Sequence, residues 1–360
     1  MRFKMPDTSI RRSVFTWLLH IALATIVAGA CVTHFFGHQG EVHLRTDKAE
    51  TIEIQNKESK NKSSAVTLFL WNFQVVADAQ GNPVDFISEL RLLDRGVESG
   101  ELKVDEGTIR MNKPLKYHGW RFCQSDYDSD EQGVVLTFNY DPWGIGITYS
   151  GYALLLVAMI GFFFQRHSRF RAMLHGLTAQ WSRKGVVSLF VSLAVMVVAL
   201  AIVMTRVVTP KPPLLPVLQT PLLGIHVSVI MLSYTLFAII AVLGIAGLGS
   251  KRISGFCYQL SAILLYPAEF CLTVGIFIGA VWANMSWGRY WGWDPKETWA
   301  LITMLVYAGL LHWPLLAGKL KIPNDKSRMA YHAGCIIAFF FVIFTYFGVN
   351  YVLKGLHSYV

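Results

Sequence analysis

Seven apolar runs, each near the length needed to cross a bilayer, constrain this chain more than any other feature. They lie near residues 13–36, 144–165, 186–206, 224–248, 268–286, 297–316 and 330–351. A spanning helix takes roughly 20 apolar residues. Charge is correspondingly scarce: 15% of the 360 residues are charged, against about 25% in soluble domains. The apolar residues therefore serve spans rather than one large soluble core. Segment 253–266 could instead be an interfacial or re-entrant helix. The expected fold is an all-α polytopic membrane protein of about seven transmembrane helices, with a small β-rich outer domain inserted after the first span.

That domain falls in the polar stretch 37–143. Val66-Thr67-Leu68-Phe69-Leu70 alternates with the period of a strand. Arg121–Gln124 and Val134–Phe138 flank the turn-rich Asp128–Gly133, which reads as strand, turn, strand. The expected organisation is an N-terminal anchor over 1–36, the β-rich domain over 37–143, two spans with a basic inner loop over 144–216, and a transmembrane core over 217–360.

The net charge of +9 would raise nucleic acid as a partner for a soluble protein. Here the basic residues cluster between spans, where Lys and Arg set orientation, and no nucleic-acid-binding motif is present. With a cytoplasmic N-terminus, the inner loops hold Arg166, Arg169, Arg171, Arg183, Lys184, Lys251, Arg252, Lys319, Lys321, Lys326 and Arg328. The short outer loops hold only Arg206, Lys211, Arg289, Lys296 and Lys354. Arg2, Lys4, Arg11 and Arg12 precede the first run, which is read as a retained span rather than a cleaved signal peptide. The C-terminus then lies outside. The five cysteines include no CxxC pair, which argues against a redox-active pair within the chain. No nucleotide-binding loop is visible either.

One loop carries chemistry. Residues 287–299 read WGRYWGWDPKETW, with Trp282 before the loop and Tyr307 after it. Interfacial tryptophan is common, but a scattered belt does not account for Trp287, Trp291, Trp293 and Trp299 so close together between glycines. Flat apolar faces with indole N–H donors suit a large planar ligand with polar edges, such as haem. Asp294-Pro295-Lys296-Glu297 also reads as a helix start: an N-cap, a proline at the first helical position and a capping-box glutamate. Capping and shaping a site are compatible.

Imidazole is the usual axial ligand of haem iron. His226 opens the span at 224–248 on the outer side, and His357 lies in the outer tail, both level with the tryptophan loop. They are candidates for an outer bis-His site, against the plainer reading of amphipathic surface histidines. His20 and His312 lie in the inner halves of their spans at matching depths, and ionisable groups inside a membrane are costly and usually functional. They are candidates for an inner haem site, against simple hydrogen bonding to a neighbouring helix. His34 competes with His20 but lies near the outer end. His332 is expected at the inner interface of the last span.

The loop Trp287–Trp299 resembles the tryptophan-rich signature of the haem-handling CcsA/ResC proteins of System II cytochrome c biogenesis. The segment Leu223–Ser228, with His226, and the segment Phe344–Tyr359, with His357, resemble the family's two histidine-bearing outer segments; the resemblance covers roughly 217–360. Asn112–Phe122 and Asp141-Pro142-Trp143 resemble the partner family, ResB/CcsB, although this outer domain is much shorter than a full ResB. The resemblance implies a multi-pass protein of the bacterial inner membrane that takes up haem b as its transported substrate near His20 and His312. The iron would then be held outside by His226 and His357, framed by Trp287, Trp291, Trp293, Asp294 and Trp299. The implied partners are apocytochrome c with its Cys-x-x-Cys-His segment, a separate ResB/CcsB subunit, a thioredoxin-like thiol reductant and membrane lipid. In that role the chain is a component of a cytochrome c haem lyase. The rival readings are a haem exporter without attachment, a membrane di-haem electron carrier and a structural scaffold.

Overall fold

A computed structural model describes residues 14–55, 63–95, 102–165, 168–180, 184–185, 187–188, 191–192, 195, 216–218 and 220–353. His357 and nearly all of the expected span 186–206 lie outside the described residues. Six helices among the described residues are long and apolar enough to cross a membrane, and the chain is a membrane protein with a β-rich domain between its first two spans.

The first span, α1 (Val14–Phe36), leads directly into that domain. Its strands are β1 (His38–Arg45), β2 (Glu50–Gln55), β3 (Ser63–Ala77), β4 (Pro83–Arg95), β5 (Leu102–Arg110), β6 (Leu115–Tyr117), β7 (Trp120–Tyr127) and β8 (Gly133–Tyr140). They form two four-stranded sheets, ordered β1-β8-β7-β6 and β2-β3-β4-β5, in which every pairing is antiparallel. The alternation read in β3 is realised: Val66, Leu68 and Leu70 are buried. They share a core with Leu44, Trp120, Phe122, Val134 and Leu136 of the other sheet. The expected hairpin is β7–β8. Arg45 on β1 grips its turn through Asp128 at 2.5 Å and Asp130 at 2.7 Å, and that guanidinium holds the Asp130 carboxyl below its ordinary range.

Asp141 turns the chain back into the membrane. Its carboxylate accepts from Thr33 Oγ1 at 2.6 Å and from the Gly144 amide at 2.7 Å. The second span begins there as α2 (Gly144–Phe164), followed by α3 (Arg169–Gln180). Small residues let α1 and α2 pack backbone to backbone. A Cβ on Gly29 would stand 2.7 Å from the Thr148 amide, and one on Gly144 2.7 Å from that of Thr33. Close approach of this kind drives helix association in lipid, where apolar burial between helices gives little.

The remaining spans are α4 (Pro221–Gly249), α5 (Ser254–Ser286), α6 (Pro295–Lys319) and α7 (Asn324–Ile343), the last continuing through a π turn at Phe344–Gly348. The central helix is α5, the most buried of the spans. The Phe237 and Tyr307 rings stack at 3.6 Å in the core shared with α5 and α7. Segment 253–266 is not an interfacial or re-entrant helix: it is the first half of α5, which runs unbroken through Pro267. The Lys251-Arg252 turn separates it from α4, and Cys257, Tyr258, Leu260, Ile263, Leu264 and Leu265 are buried by neighbouring helices.

Gly29→Leu is expected to wedge α1 from α2 and lower the thermal midpoint of the detergent-solubilised protein, with an overpacking penalty of about 1–3 kcal/mol. Gly146→Leu, facing open space on α2, should leave the midpoint unchanged. Equal midpoints for the two variants would refute the close-packing account.

Candidate functional site

Between α5 and α6 the backbone leaves helical geometry at Trp287, and the tryptophan loop begins. Gly288 takes φ +74°, which a glycine adopts freely, whereas Trp293 takes φ +55°, a left-handed conformation rare for a bulky side chain. Such strain persists only where the surroundings impose it, and it clusters at functional sites. Trp293 is 72% exposed and meets Trp291 edge-on at 5.8 Å. Trp287 meets the buried Trp282 edge-on at 4.8 Å, and Trp299 lies 4.3 Å from Phe344 on the last helix. Tyr307 does not complete this cluster. Well down α6 from the loop, it is fully buried against Phe237 in the bundle core.

Asp294 caps α6 as the sequence suggests. Its carboxylate accepts from the Lys296 amide at 2.9 Å, with the capping box to Glu297 complete. Glu297 also accepts from the Gly292 amide at 2.8 Å, which closes the loop on itself. Tyr290 anchors the loop to the first span by donating to Thr33 Oγ1 at 2.8 Å.

The β domain sits on this loop. The face of the first sheet that turns away from its own core carries Arg121, Cys123, Thr137 and Asn139. The Gly288 carbonyl accepts from Arg121 at 3.1 Å and from Asn139 Nδ2 at 2.5 Å. Ser286 donates to Asn112 at 2.5 Å. A Cβ on Gly288 would lie 3.1 Å from Cys123 Sγ, so glycine is needed here for contact as well as conformation. Burial pushes the Cys123 thiol up to about 11, against the lowering influence of Arg121. Beside this junction, β1, β7, β8 and Trp287–Arg289 line a half-open cavity of about 350 Å³. These β-domain contacts are not predictable from residue pattern, although Asn112 and Arg121 fall in the segment that resembles ResB.

His226 packs against the Gly275–Gly279 stretch of α5 and donates from Nδ1 to the Gly275 carbonyl at 2.7 Å. A carbonyl partner on the second ring nitrogen is the usual support of a metal-ligating imidazole. His20 and His312, from α1 and α6, come together with ring centres 6.5 Å apart and planes at 85°. Each donates Nδ1 to the carbonyl one turn back, Thr16 at 2.7 Å and Ala308 at 2.8 Å. Their Nε2 atoms have no hydrogen-bond partner among the described residues. A metal–nitrogen bond of roughly 2 Å on each side requires ring centres about 6 Å apart, so the spacing suits an iron between them. His34 stands beside Phe35 near the other end of α1. His332 lies near the start of α5, where it is fully buried in the α7–α4 contact, with Nε2 3.2 Å from both Ser254 Oγ and the Ser254 carbonyl. Sequence reasoning passed over Glu269, an acid buried within α5 whose Oε2 has no partner among the described residues. A lone carboxylate in an apolar run was the available signal.

Residues 149–357, more than half of the chain, match the family model described as cytochrome C assembly protein. The chain belongs to the cytochrome c assembly family. Residues 11–139 match the ResB-like family, so both halves are joined in one polypeptide. Among relatives, the protein NrfI of Wolinella succinogenes is 40% identical over 158 residues, covering 41% of this chain and 17% of its own length. The cytochrome c biogenesis protein CcsA of Chlamydomonas reinhardtii is 41% identical, covering 41% of this chain and 43% of its own. CcsA of Prochlorococcus marinus (strain NATL1A) is 38% identical, covering 41% and 57%. This cytochrome c assembly protein thus spans between about one sixth and somewhat over half of these relatives.

Asp294→Ala should remove the cap of α6 at about 1 kcal/mol and lower the thermal midpoint, while Asp294→Asn, which still accepts a hydrogen bond, should hold it. A midpoint indifferent to alanine would show that the cap does not support the loop. At pH 8 the native protein should leave Cys123 unlabelled by maleimide until denaturant is added; rapid native labelling would contradict its burial.

Proposed function

We propose that this cytochrome c assembly protein takes up haem at a His20–His312 site, conveys it across the bacterial inner membrane and presents it beside the tryptophan loop for covalent attachment to apocytochrome c. The carrying observation is the paired imidazoles at 6.5 Å, each with its second nitrogen bonded to a carbonyl. The orientation follows from charge. Arg169, Arg171, Lys251, Arg252, Lys319, Lys321, Lys326 and Arg328 lie at the end of the spans away from the tryptophan loop. By the positive-inside rule that end is cytoplasmic, and the loop and β domain face outward.

In this reading haem is the cargo and the protein contributes placement. His226 and His357 hold the iron at the outer site, framed by Trp287, Trp291, Trp293 and Trp299. His357 lies outside the described residues, and its part rests on the resemblance of the C-terminal segment. An apocytochrome presents Cys-x-x-Cys-His there. Each cysteine adds across one haem vinyl group: one C–S bond forms, and the thiol hydrogen passes to the neighbouring vinyl carbon with no net electron transfer. The apocytochrome histidine then replaces one of the protein's imidazoles on the iron. A thioredoxin-like protein that keeps the apocytochrome cysteines reduced is the implied partner. Holding both reactants in one orientation is the main catalytic contribution in such a scheme.

The test is the absorption spectrum of the detergent-purified protein, with and without imidazole, for wild type and for His20→Gly, His312→Gly, His226→Gly and His357→Gly. Wild type should carry haem. Each variant should lose or shift its haem band, and imidazole should restore it. Unchanged spectra in both His20→Gly and His312→Gly would remove the inner pair. A co-expressed c-type cytochrome that never acquires covalent haem would favour export without attachment.

A further inference from the structure

Arg289 stands in the middle of the tryptophan loop and makes no hydrogen bond or ion pair among the described residues. Its side chain folds back over Gly292: a Cβ there would lie 3.2 Å from Arg289 Nε. The guanidinium is thereby held against the backbone between Trp291 and Trp293. Arg289 also lines the cavity of about 350 Å³ between the loop and the β sheet, together with Trp287, Gln39, Ser125, Thr137 and Asn139. These walls combine aromatic surface with several neutral hydrogen-bonding groups, the Glu41 carboxylate and one unpaired cation.

An unpaired guanidinium beside a half-open cavity of mixed polarity points to an anionic group on an otherwise apolar ligand, and its planar fork matches a carboxylate in particular. Haem has two carboxylates, both on one edge, and the rest of its surface is apolar. A haem seated with its iron toward His226, down the bundle from the loop, would direct that edge to the polar end of the spans where this cavity lies. We propose that Arg289, with the neighbouring Gln39 and Ser125, forms the receptor for the haem propionates at the outer site; Thr137 and Asn139 line the same wall but already bond the Cys123 and Gly288 carbonyls. The β domain thereby contributes directly to haem recognition as well as covering the loop.

Among the described residues, Arg289 is the one cation and Glu41 the one carboxylate lining the cavity, so attraction for an anion is local to Arg289. Arg121 lies on the same sheet face but already bonds the Gly288 carbonyl and Asn139 Oδ1 at 3.0 Å. Glu41 also lines the cavity, is exposed, and repels a second anion. One propionate pairs with Arg289, and the other takes the neutral donors of Gln39 and Ser125. This assignment rests on the haem reading of the tryptophan loop and adds to it the part that reads the porphyrin's polar edge.

The experiment compares ferrous haem b with the dimethyl ester of iron protoporphyrin IX, which keeps the ring, iron and vinyl groups but has no propionate charge. Both are titrated by Soret absorption into the full chain carrying His312→Gly, so that the other histidine pair does not contribute. That chain should bind haem about tenfold or more tightly than the ester, the strength of one charge-assisted bidentate contact. Adding Arg289→Gln should weaken haem binding to the level of the ester and leave the ester unaffected. Arg289→Lys should recover part of the difference, which separates lost charge from a misfolded loop. Equal affinity for haem and ester, or an equal loss of both in Arg289→Gln, overturns the propionate receptor while leaving haem binding at the loop intact. Failure to bind either porphyrin overturns the haem reading of the loop and this assignment with it.

Discussion

A bilayer offers no water to backbone N–H and C=O groups, so each must be bonded within the chain. This constraint organises the whole molecule. It makes the spans helical and confines irregular backbone to their ends. The tryptophan loop, with left-handed Gly288 and Trp293, is tolerable because it lies beyond the end of α5 and its amides find partners. Glu297 takes those of Gly292 and Asp294, and Asp294 takes that of Lys296. The loop holds its unusual shape because its polar groups are satisfied locally and its rings pack on neighbouring helices.

A second consequence is the junction between the two halves. Just beyond the end of α5, the Gly288 carbonyl has no helical partner. It is satisfied by Arg121 and Asn139 from a β sheet formed far earlier in the chain. The sheet can do this because Arg121, Cys123, Thr137 and Asn139 pair on the face opposite its core. One face fills the sandwich with Phe122, Val134 and Leu136, and the other presents polar residues to the membrane core. A one-residue slip of β7 or β8 would exchange those faces, burying Arg121 and leaving the loop uncovered. The ResB-like and cytochrome c assembly segments therefore meet through hydrogen bonds to backbone as well as through their covalent link.

Where expectation and structure part, the reason is tertiary. Segment 253–266 looks too polar for a span when read alone, with Ser254, Gln259 and Ser261 among its residues. Within α5 these are buried beside partner groups: Gln259 donates to the Met173 carbonyl, and Ser254 meets His332. His332 follows a basic stretch in sequence, yet its ring is sealed from solvent. Gly247 opposite leaves space for its ring, and the helix contact closes over it. Tyr307 reads as part of the aromatic loop by proximity in sequence, whereas the helical rise carries it down into the core against Phe237.

The sequence alone determined what local pattern can determine: apolar runs of bilayer length, the two-residue alternation of β3, β7 and β8, the cap at Asp294, and the tryptophan-rich loop between two spans. Each depends on neighbours within a few residues. Matching depths suggested His20 and His312 as a pair, but depth says nothing about rotation around a helix or about which helices adjoin. The tertiary structure decided that their rings stand 6.5 Å apart, that Gly288 is held by the β sheet, and that Arg289 faces a cavity shared by both halves. Those facts depend on packing between elements distant in sequence. In lipid, such packing is set by small residues and a few polar contacts, which leave little trace in the hydrophobic pattern of any one span.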